Sequence, residues 1–369
     1  MNIAKEQQPV IINEINVRSA DRGYKDIATW RAALTTAESV YNPNRSRLYD
    51  LYEDIMLDGH LSGVVAKKIN AVLNKELFFE ARGKHVEEMD NVIQSLPFRN
   101  VVRTLVETLL WGISGMEFIP GSELAFNLIP RKHIKPDTGI ITWEQNGQDG
   151  IPYTEMENVW VTGEPNDLGL LLRCAPYCLY KRGGLADWAQ YIELFGQPVR
   201  VIRYDSYDDQ TRAELRRILD ESGSSLSLMI PRQADFEIVD GKQSNSDGDL
   251  QLSFIKALNE EISVAVLGNT ETTNSSRSAG YAQSRIHQEQ QAEILKADIA
   301  WTAAMLNSKK FLNILRSYGY PVNEGRFVFR NDMDVEYLYK RIAIDKEIAG
   351  MTEIPDAYWH QMYGIPTRA

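Results

Sequence analysis

The side chains able to do chemistry are few and scattered. His287-Gln288-Glu289 invites a metal reading. A helix offers two ligands to one ion at i, i+3 or i, i+4, and after His287 those positions hold Gln290 and Gln291, which are poor ligands. A solvated or interface histidine is the plainer account. Ser246-Asp247-Gly248-Asp249 is half of a calcium loop, without the alternating donors or the closing glutamate. Cys174 and Cys178 could hold zinc only with two further ligands, and the five histidines provide no second pair at metal spacing. They read as reduced, semi-buried thiols. Asp332-Met333-Asp334 reads as the start of a helix, where acids are favourable. The chain has no phosphate-binding Gly-x-x-x-x-Gly-Lys loop, no Gly-x-Ser-x-Gly elbow and no His-Glu-x-x-His pair. A metal-dependent nuclease would require Asp247, Asp249 and His287 to meet in space. No catalytic residue, metal site or cofactor is assigned.

Composition narrows the field further. The 369 residues carry 51 acids against 40 bases, a net charge of −11, so bulk positive charge cannot coat nucleic acid here. With 43% hydrophobic residues the chain can bury a core without disulfides. The start, Met1 to Pro9, lacks the basic and apolar character of a signal peptide, and no window approaches the ~18 apolar residues of a membrane span. Synthesis and residence in a cytoplasm, with no membrane partner, are the expectation. Unlike any of these motifs, Asn269-Thr270-Glu271-Thr272-Thr273-Asn274-Ser275-Ser276-Arg277-Ser278-Ala279-Gly280 is unusual. It is too polar for a core, yet it joins two long helices. A flexible surface loop is the bland account; contact with something hydrated and repetitive is the other.

The elements that would position these residues follow from periodicity. Residues 1–46 read as a polar arm that needs a partner to be ordered. Residues 47–74 predict two helices with a joint at Asp58-Gly59-His60, and Leu77 to Glu80 a strand. Lys84 to Leu96 predicts a helix ended by Pro97, and Val101 to Trp111 another, broken by Gly112 and Gly115. Short β runs fill 115–173, with hairpin turns at Asp137-Thr138-Gly139 and Asn146-Gly147. A helix from Gly184 to Phe195 precedes a small α/β insert. A helix from Asp249 to Leu267, capped by Gly268, follows it. Beyond the polar loop, one helix is expected from Tyr281 to about Tyr318, roughly 55 Å long.

This order, with several stretches of sequence, resembles the portal proteins of tailed bacteriophages, specifically the Mu-like portal family. Asp187-Trp188-Ala189-Gln190-Tyr191-Ile192-Glu193-Leu194-Phe195-Gly196-Gln197-Pro198-Val199-Arg200 is similar to that family's Trp-Ala-x-Phe-x-Glu-x-Phe-Gly-x-Pro-x-Arg signature. Leu267-Gly268-Asn269-Thr270-Glu271-Thr272-Thr273, with Gly280-Tyr281-Ala282 and His287, resembles its Leu-Gly-Gln-Thr-x-Thr-Thr stretch and the start of its long helix. Tyr52 to Leu61 adds a weaker match.

The resemblance implies an α+β portal fold with wing, stem helices, small α/β clip, tunnel loop and long helix. The parts would be an arm (1–46), wing (47–183), first stem helix (184–196), clip (197–248), second stem helix (249–268), tunnel loop (269–280), long helix and wing return (281–330) and a crown-proximal region (331–369). It implies a homo-oligomeric ring, usually a dodecamer, at one capsid vertex of a virion assembled in a bacterial cytoplasm. Double-stranded DNA would pass through it. The terminase large subunit, the major capsid protein or a scaffold, and a head-completion adaptor would be its partners. Glu271, Asn274, Ser275, Ser276 and Arg277 would face DNA. Asp208, Asp209, Arg212, Glu214, Arg216 and Arg217 would face terminase or adaptor. Trp188, Tyr191 and Phe195 would pack either on a neighbouring subunit or within their own. Relative to longer relatives the sequence stops soon after Ile365-Pro366, which implies a small crown or a shortened chain. A head adaptor or scaffold protein without a tunnel is the alternative reading.

Overall fold

The fold is described from a computed structural model for residues 11–195, 200–204, 209–210, 213, 216–217, 227–231, 249–269, 281–330, 335–352, 354–355 and 358–359. The arm does not wait for a partner: from Ile11 onward it packs on its own chain. Ile11 and Ile15 are buried, and the Ile11 N–H donates to both carboxylate oxygens of the buried Glu117 at 2.8 and 2.9 Å. Burial pushes the Glu117 carboxyl up, against the pull of these backbone donors. Asp26 then caps helix α1 (Ile27–Ala37) by accepting the Thr29 N–H.

Helices α2 (Ser46–Ile55) and α3 (Gly59–Leu73) meet at the expected joint, where the Asp58 side chain accepts the His60 and Leu61 N–H groups. Strand β1 (Leu77–Ala81) follows. The helix expected over Lys84 to Leu96 is replaced by strand β2 (Lys84–His85), a 3-10 turn (Glu87–Met89) and the short α4 (Asp90–Gln94). Pro97 opens the next helix instead of ending one. It sits in the first turn of α5 (Leu96–Trp111), where a missing N–H breaks no helical bond, and Ser95 caps that turn. Gly112 stops α5 at φ +83°, and a Cβ there would collide with the Asp167 carbonyl.

Six short strands come next: β3 (Ser114–Phe118), β4 (Phe126–Ile129), β5 (Ile134–Lys135), β6 (Ile140–Thr142), β7 (Gly150–Pro152) and β8 (Val159–Thr162). They form two antiparallel sheets, ordered β4-β3-β8 and β5-β6-β7. Both expected hairpin turns join strands of the second sheet. Helix α6 (Leu171–Phe195) starts well before Gly184, with Pro176 inside it. Its first turns bury Leu171, Cys174, Ala175 and Cys178, so tertiary packing carries the helix through the proline. Strands β9 (Arg200–Tyr204) and β10 (Ser227–Pro231) pair in parallel. Such a pairing needs a crossover between them, as an α/β insert supplies. Helix α7 (Asp249–Leu267) follows.

The last long helix is two helices, α8 (Tyr281–Leu306) and α9 (Lys309–Ser317). Ser308 caps α9 by accepting the Phe311 N–H. Beside it the Asn307 amide both donates to the Phe327 carbonyl and accepts the Phe327 N–H. Asn307 thus extends the ladder of strand β11 (Gly325–Phe329), which pairs with β1 in the sheet β11-β1-β2. Helix α10 (Val335–Ala349) follows. One aromatic core joins these parts. Trp160 of β8 stacks on Phe311 of α9 at 4.7 Å, while Phe327 packs against Phe79 at 4.9 Å and Phe98 at 5.3 Å.

Candidate functional site

The two helices flanking the α/β insert are set in place by the joint between α2 and α3. Asp50, Asp54 and Asp58 recur every four residues and so form one stripe along α2 and its end. Each meets a cation. Lys132 pairs with Asp50, Arg182 with Asp54 at 2.8 Å and Lys181 with Asp58 at 2.8 Å. The last two cations both belong to α6, so together they fix its rotation and height. Burial pushes the Asp58 carboxyl up, but Lys181 and the two capping N–H groups prevail and hold it below the ordinary range. His60 reaches α7, with 2.9 Å between Nε2 and the Ser263 hydroxyl. Burial, then the neighbouring Lys181, holds His60 below its ordinary value, so it packs as neutral imidazole. Lys68 of α3 binds Asp298 of α8 at 2.6 Å, 3% and 11% of these side chains being exposed.

Helices α6 and α7 lie antiparallel. Tyr177 stands by Glu261, and one helical stretch further along Gly184 faces Phe254. Leu258, Ile262 and Val266 form the inner edge of α7. The same pair leaves Leu185, Ile192, Leu250, Phe254 and Val264 exposed. Among the described residues, this pair carries more apolar surface than is covered.

Gly268 ends α7 at φ +79°, where a Cβ would lie 2.2 Å from Ile294 Cδ1. The exit from α7 is therefore pressed against α8, deep in that helix. Tyr281 is about 20 Å further along α8, at 1.5 Å per residue.

The residues expected to do the work are only partly placed. Glu271, Asn274, Ser275, Ser276 and Arg277 lie outside the described residues, as do Asp208, Arg212 and Glu214. Asp209, Arg216 and Arg217 are helical and exposed. Trp188 is half-buried on α6; Tyr191 and Phe195 fall in α6, with side chains outside those described. Asp247 lies outside the described residues, and of Asp249 and His287 only the helical backbone is described. Among the described residues no cluster of His, Cys, Asp and Glu could hold a metal ion, and no helix is long and apolar enough to cross a membrane. Cys174 and Cys178 are fully buried free thiols, and burial raises the Cys174 thiol to about 12. The aspartate stripe is the element that sequence reasoning missed. Its signal was three aspartates at helical spacing, Asp50, Asp54 and Asp58.

A body of helices and small sheets, an antiparallel helix pair flanking a parallel two-strand unit, and a polar link into a further long helix define a phage portal fold. The chain belongs to the family described as "Portal protein of Mu bacteriophage", whose model matches residues 49–365. It is similar to "Mu-like prophage FluMu protein gp29" of Haemophilus influenzae, at 24% identity over 62% of this chain and 47% of that protein. It is also similar to the "Portal protein" of Escherichia phage Mu, at 27% identity over 35% of this chain and 25% of that one. The chain thus spans about half, or less, of the length of these curated relatives. Among solved structures, a chain from the neck of a native gene transfer agent particle computed with C12 symmetry superposes with a TM-score of 0.56 at 14% identity, covering 93% of this chain and 100% of that one. A chain from the neck of the empty particle, computed with C6 symmetry, gives 0.55 at 13% identity, covering 86% and 94%.

Proposed function

We propose that this chain is a portal vertex protein of a tailed phage or prophage. Copies form a ring, a dodecamer by analogy with the C12 neck, at the portal vertex of a virion. Double-stranded DNA enters through the ring during packaging and leaves through it during ejection. The observation that carries this reading is the α6/α7 pair, held to the body by Asp54, Asp58 and His60 yet exposing Leu185, Ile192, Leu250, Phe254 and Val264. A neighbouring copy is the natural cover for such a surface in a ring. In this arrangement Trp188, Tyr191 and Phe195 contribute to the stem, and the insert between the stem helices forms the clip. Asp209, Arg216 and Arg217, with Asp208, Arg212 and Glu214, offer mixed charges for a reversible contact with terminase or a head-completion adaptor. The wing faces the capsid protein or scaffold.

The chain acts as a conduit; ATP hydrolysis belongs to the terminase large subunit. The tunnel chemistry follows from the polar loop. Lysine and arginine contacts to phosphate would add affinity and stall a sliding duplex. Hydroxyl and amide groups exchange hydrogen bonds with hydrated phosphates at little net gain. Glu271, Asn274, Ser275, Ser276 and Arg277 supply mostly that kind of surface. Negative-stain electron microscopy of the purified protein tests the assembly: rings with a hole about as wide as a duplex are expected, and solid discs or compact monomers would overturn it. Deleting 270–279 should leave the rings intact and impair packaging; normal packaging by that variant removes the loop from the mechanism.

A further inference from the structure

Strand β4 is the outer strand of the sheet β4-β3-β8, and it pairs on one side only. Its register with β3 sets Phe126 opposite Phe118 and Leu128 opposite Met116. The Ile119 N–H donates to the Ala125 carbonyl at 2.9 Å, while the Phe118 N–H points away from β4, to the Asn158 carbonyl at 2.8 Å. Backbone groups in an antiparallel pair alternate in direction, so Asn127 and Ile129 face β3, and Phe126 and Leu128 turn their N–H and C=O groups outward. Among the described residues nothing takes these outward groups. The chain closes the edge at either end of them. The Tyr320 hydroxyl accepts the Leu124 N–H at 3.1 Å, and Pro130 has no N–H to offer.

The open edge borders a cleft of about 590 Å³ whose other wall is helix α5. Leu96 of α5 and Leu128 of β4 line it and are 72% and 51% exposed. Arg103 also lines it, is exposed, and forms no ion pair among the described residues. The acid in the same cleft, Glu107, is already neutralised by Arg131 at 2.9 Å. The cleft thus combines an unpaired sheet edge, apolar side chains and one unanswered positive charge.

An extended peptide answers all three. Pairing with Phe126 and Leu128 supplies main-chain hydrogen bonds, and every second side chain of the peptide then points into the cleft. We propose that β4 and α5 bind an extended acidic segment of another protein as a fourth strand of this sheet, with an apolar side chain against Leu96 and Leu128 and a carboxylate on Arg103. The charge of Arg103 selects an acidic partner, and the sheet edge selects an extended one. The cleft uses no residue assigned above to the stem, clip or tunnel loop, so the proposal does not rest on the ring.

The test is fluorescence anisotropy of a labelled, end-blocked peptide, Thr-Val-Thr-Glu-Thr, titrated with the full chain. Saturable binding is expected, and exchanging the peptide's glutamate for lysine should weaken it several-fold. Arg103→Glu should reverse that preference while keeping the parent's melting midpoint, since Arg103 is exposed and unpaired. Methylating the amides of the valine and glutamate, or instead those of the threonines, blocks opposite sides of the added strand. One set should abolish binding and the other should be tolerated. Leu128→Pro removes one outward N–H without breaking the ladder to β3, and should weaken binding several-fold. No saturable binding, equal losses with both methylated sets, the parent's peptide preference in Arg103→Glu, or undiminished binding by Leu128→Pro would overturn the site. So would a cleft filled by a second copy, seen as self-association that Arg103→Glu abolishes while no peptide binds.

Discussion

Single residues hold the functional helices to the body, and their partners set the sign of each expected effect. Lys68 and Asp298 are both buried and meet only across the α3–α8 contact. Asp298→Ala leaves an ammonium buried and unpaired, and should lower unfolding stability by about 3–5 kcal/mol. The double replacement Lys68→Met, Asp298→Leu should recover most of that loss in the same denaturant titration. The histidines give a pH dependence. His60 and His133 are both held below their ordinary pKa, chiefly by burial. The unfolded chain therefore binds protons that the folded chain refuses, so stability is full above the unfolded value of about 6.5 and declines as pH falls below it. His60→Gln with His133→Asn, which place amide nitrogens near Nε2 and Nδ1 respectively, should flatten that decline in melts from pH 7.5 to 5.5.

Elements are bounded here by side chains that imitate backbone. Asn307 occupies the gap between α8 and α9 and completes the hydrogen bonding of Phe327 on β11. Asn307→Ala strips a donor and an acceptor from a half-buried strand, and should cost about 1–3 kcal/mol by chemical denaturation. Ser308→Ala removes only the cap of α9, at about 1 kcal/mol. This junction also explains why one helix was expected. The apolar spacing of Ile299, Leu306, Phe311 and Leu315 continues across it. Only the strand arriving from Gly325 gives Asn307 a reason to leave the helix. The replacement of the Lys84 to Leu96 helix has a similar origin, since Lys84 and His85 pair with β1. Periodicity within a segment carries no information about such a partner.

At the scale of the whole molecule, charge and apolar surface pull in opposite directions. Each copy carries −11, so a ring of them is self-repelling, while the α6/α7 surface favours association. Raising salt should therefore promote rings over monomers, as screening weakens repulsion and leaves apolar burial intact. Analytical ultracentrifugation between low and moderate salt checks this; dissociation on adding salt would show that ion pairs between copies dominate instead. The same acidity suits a channel through which a polyanion slides. It would be a liability in a protein built to grip it.

The sequence by itself determined the α+β class, most of the order of the elements, the joint at Asp58 and the helix ends at Gly112 and Gly268. These are local: a cap, a turn or a helical period is set by residues a few positions apart. It also carried the family, through the Trp188 to Arg200 and Leu267 to Thr273 stretches. Only the tertiary structure decided what lies between distant positions. It folded the arm onto Glu117, split the last long helix at Asn307, ran α6 through Pro176, and set Asp50, Asp54 and Asp58 against cations far along the chain. Those choices depend on burial and on groups brought together from positions far apart in the chain, as Asp58 and Lys181 are, which no spacing rule reads.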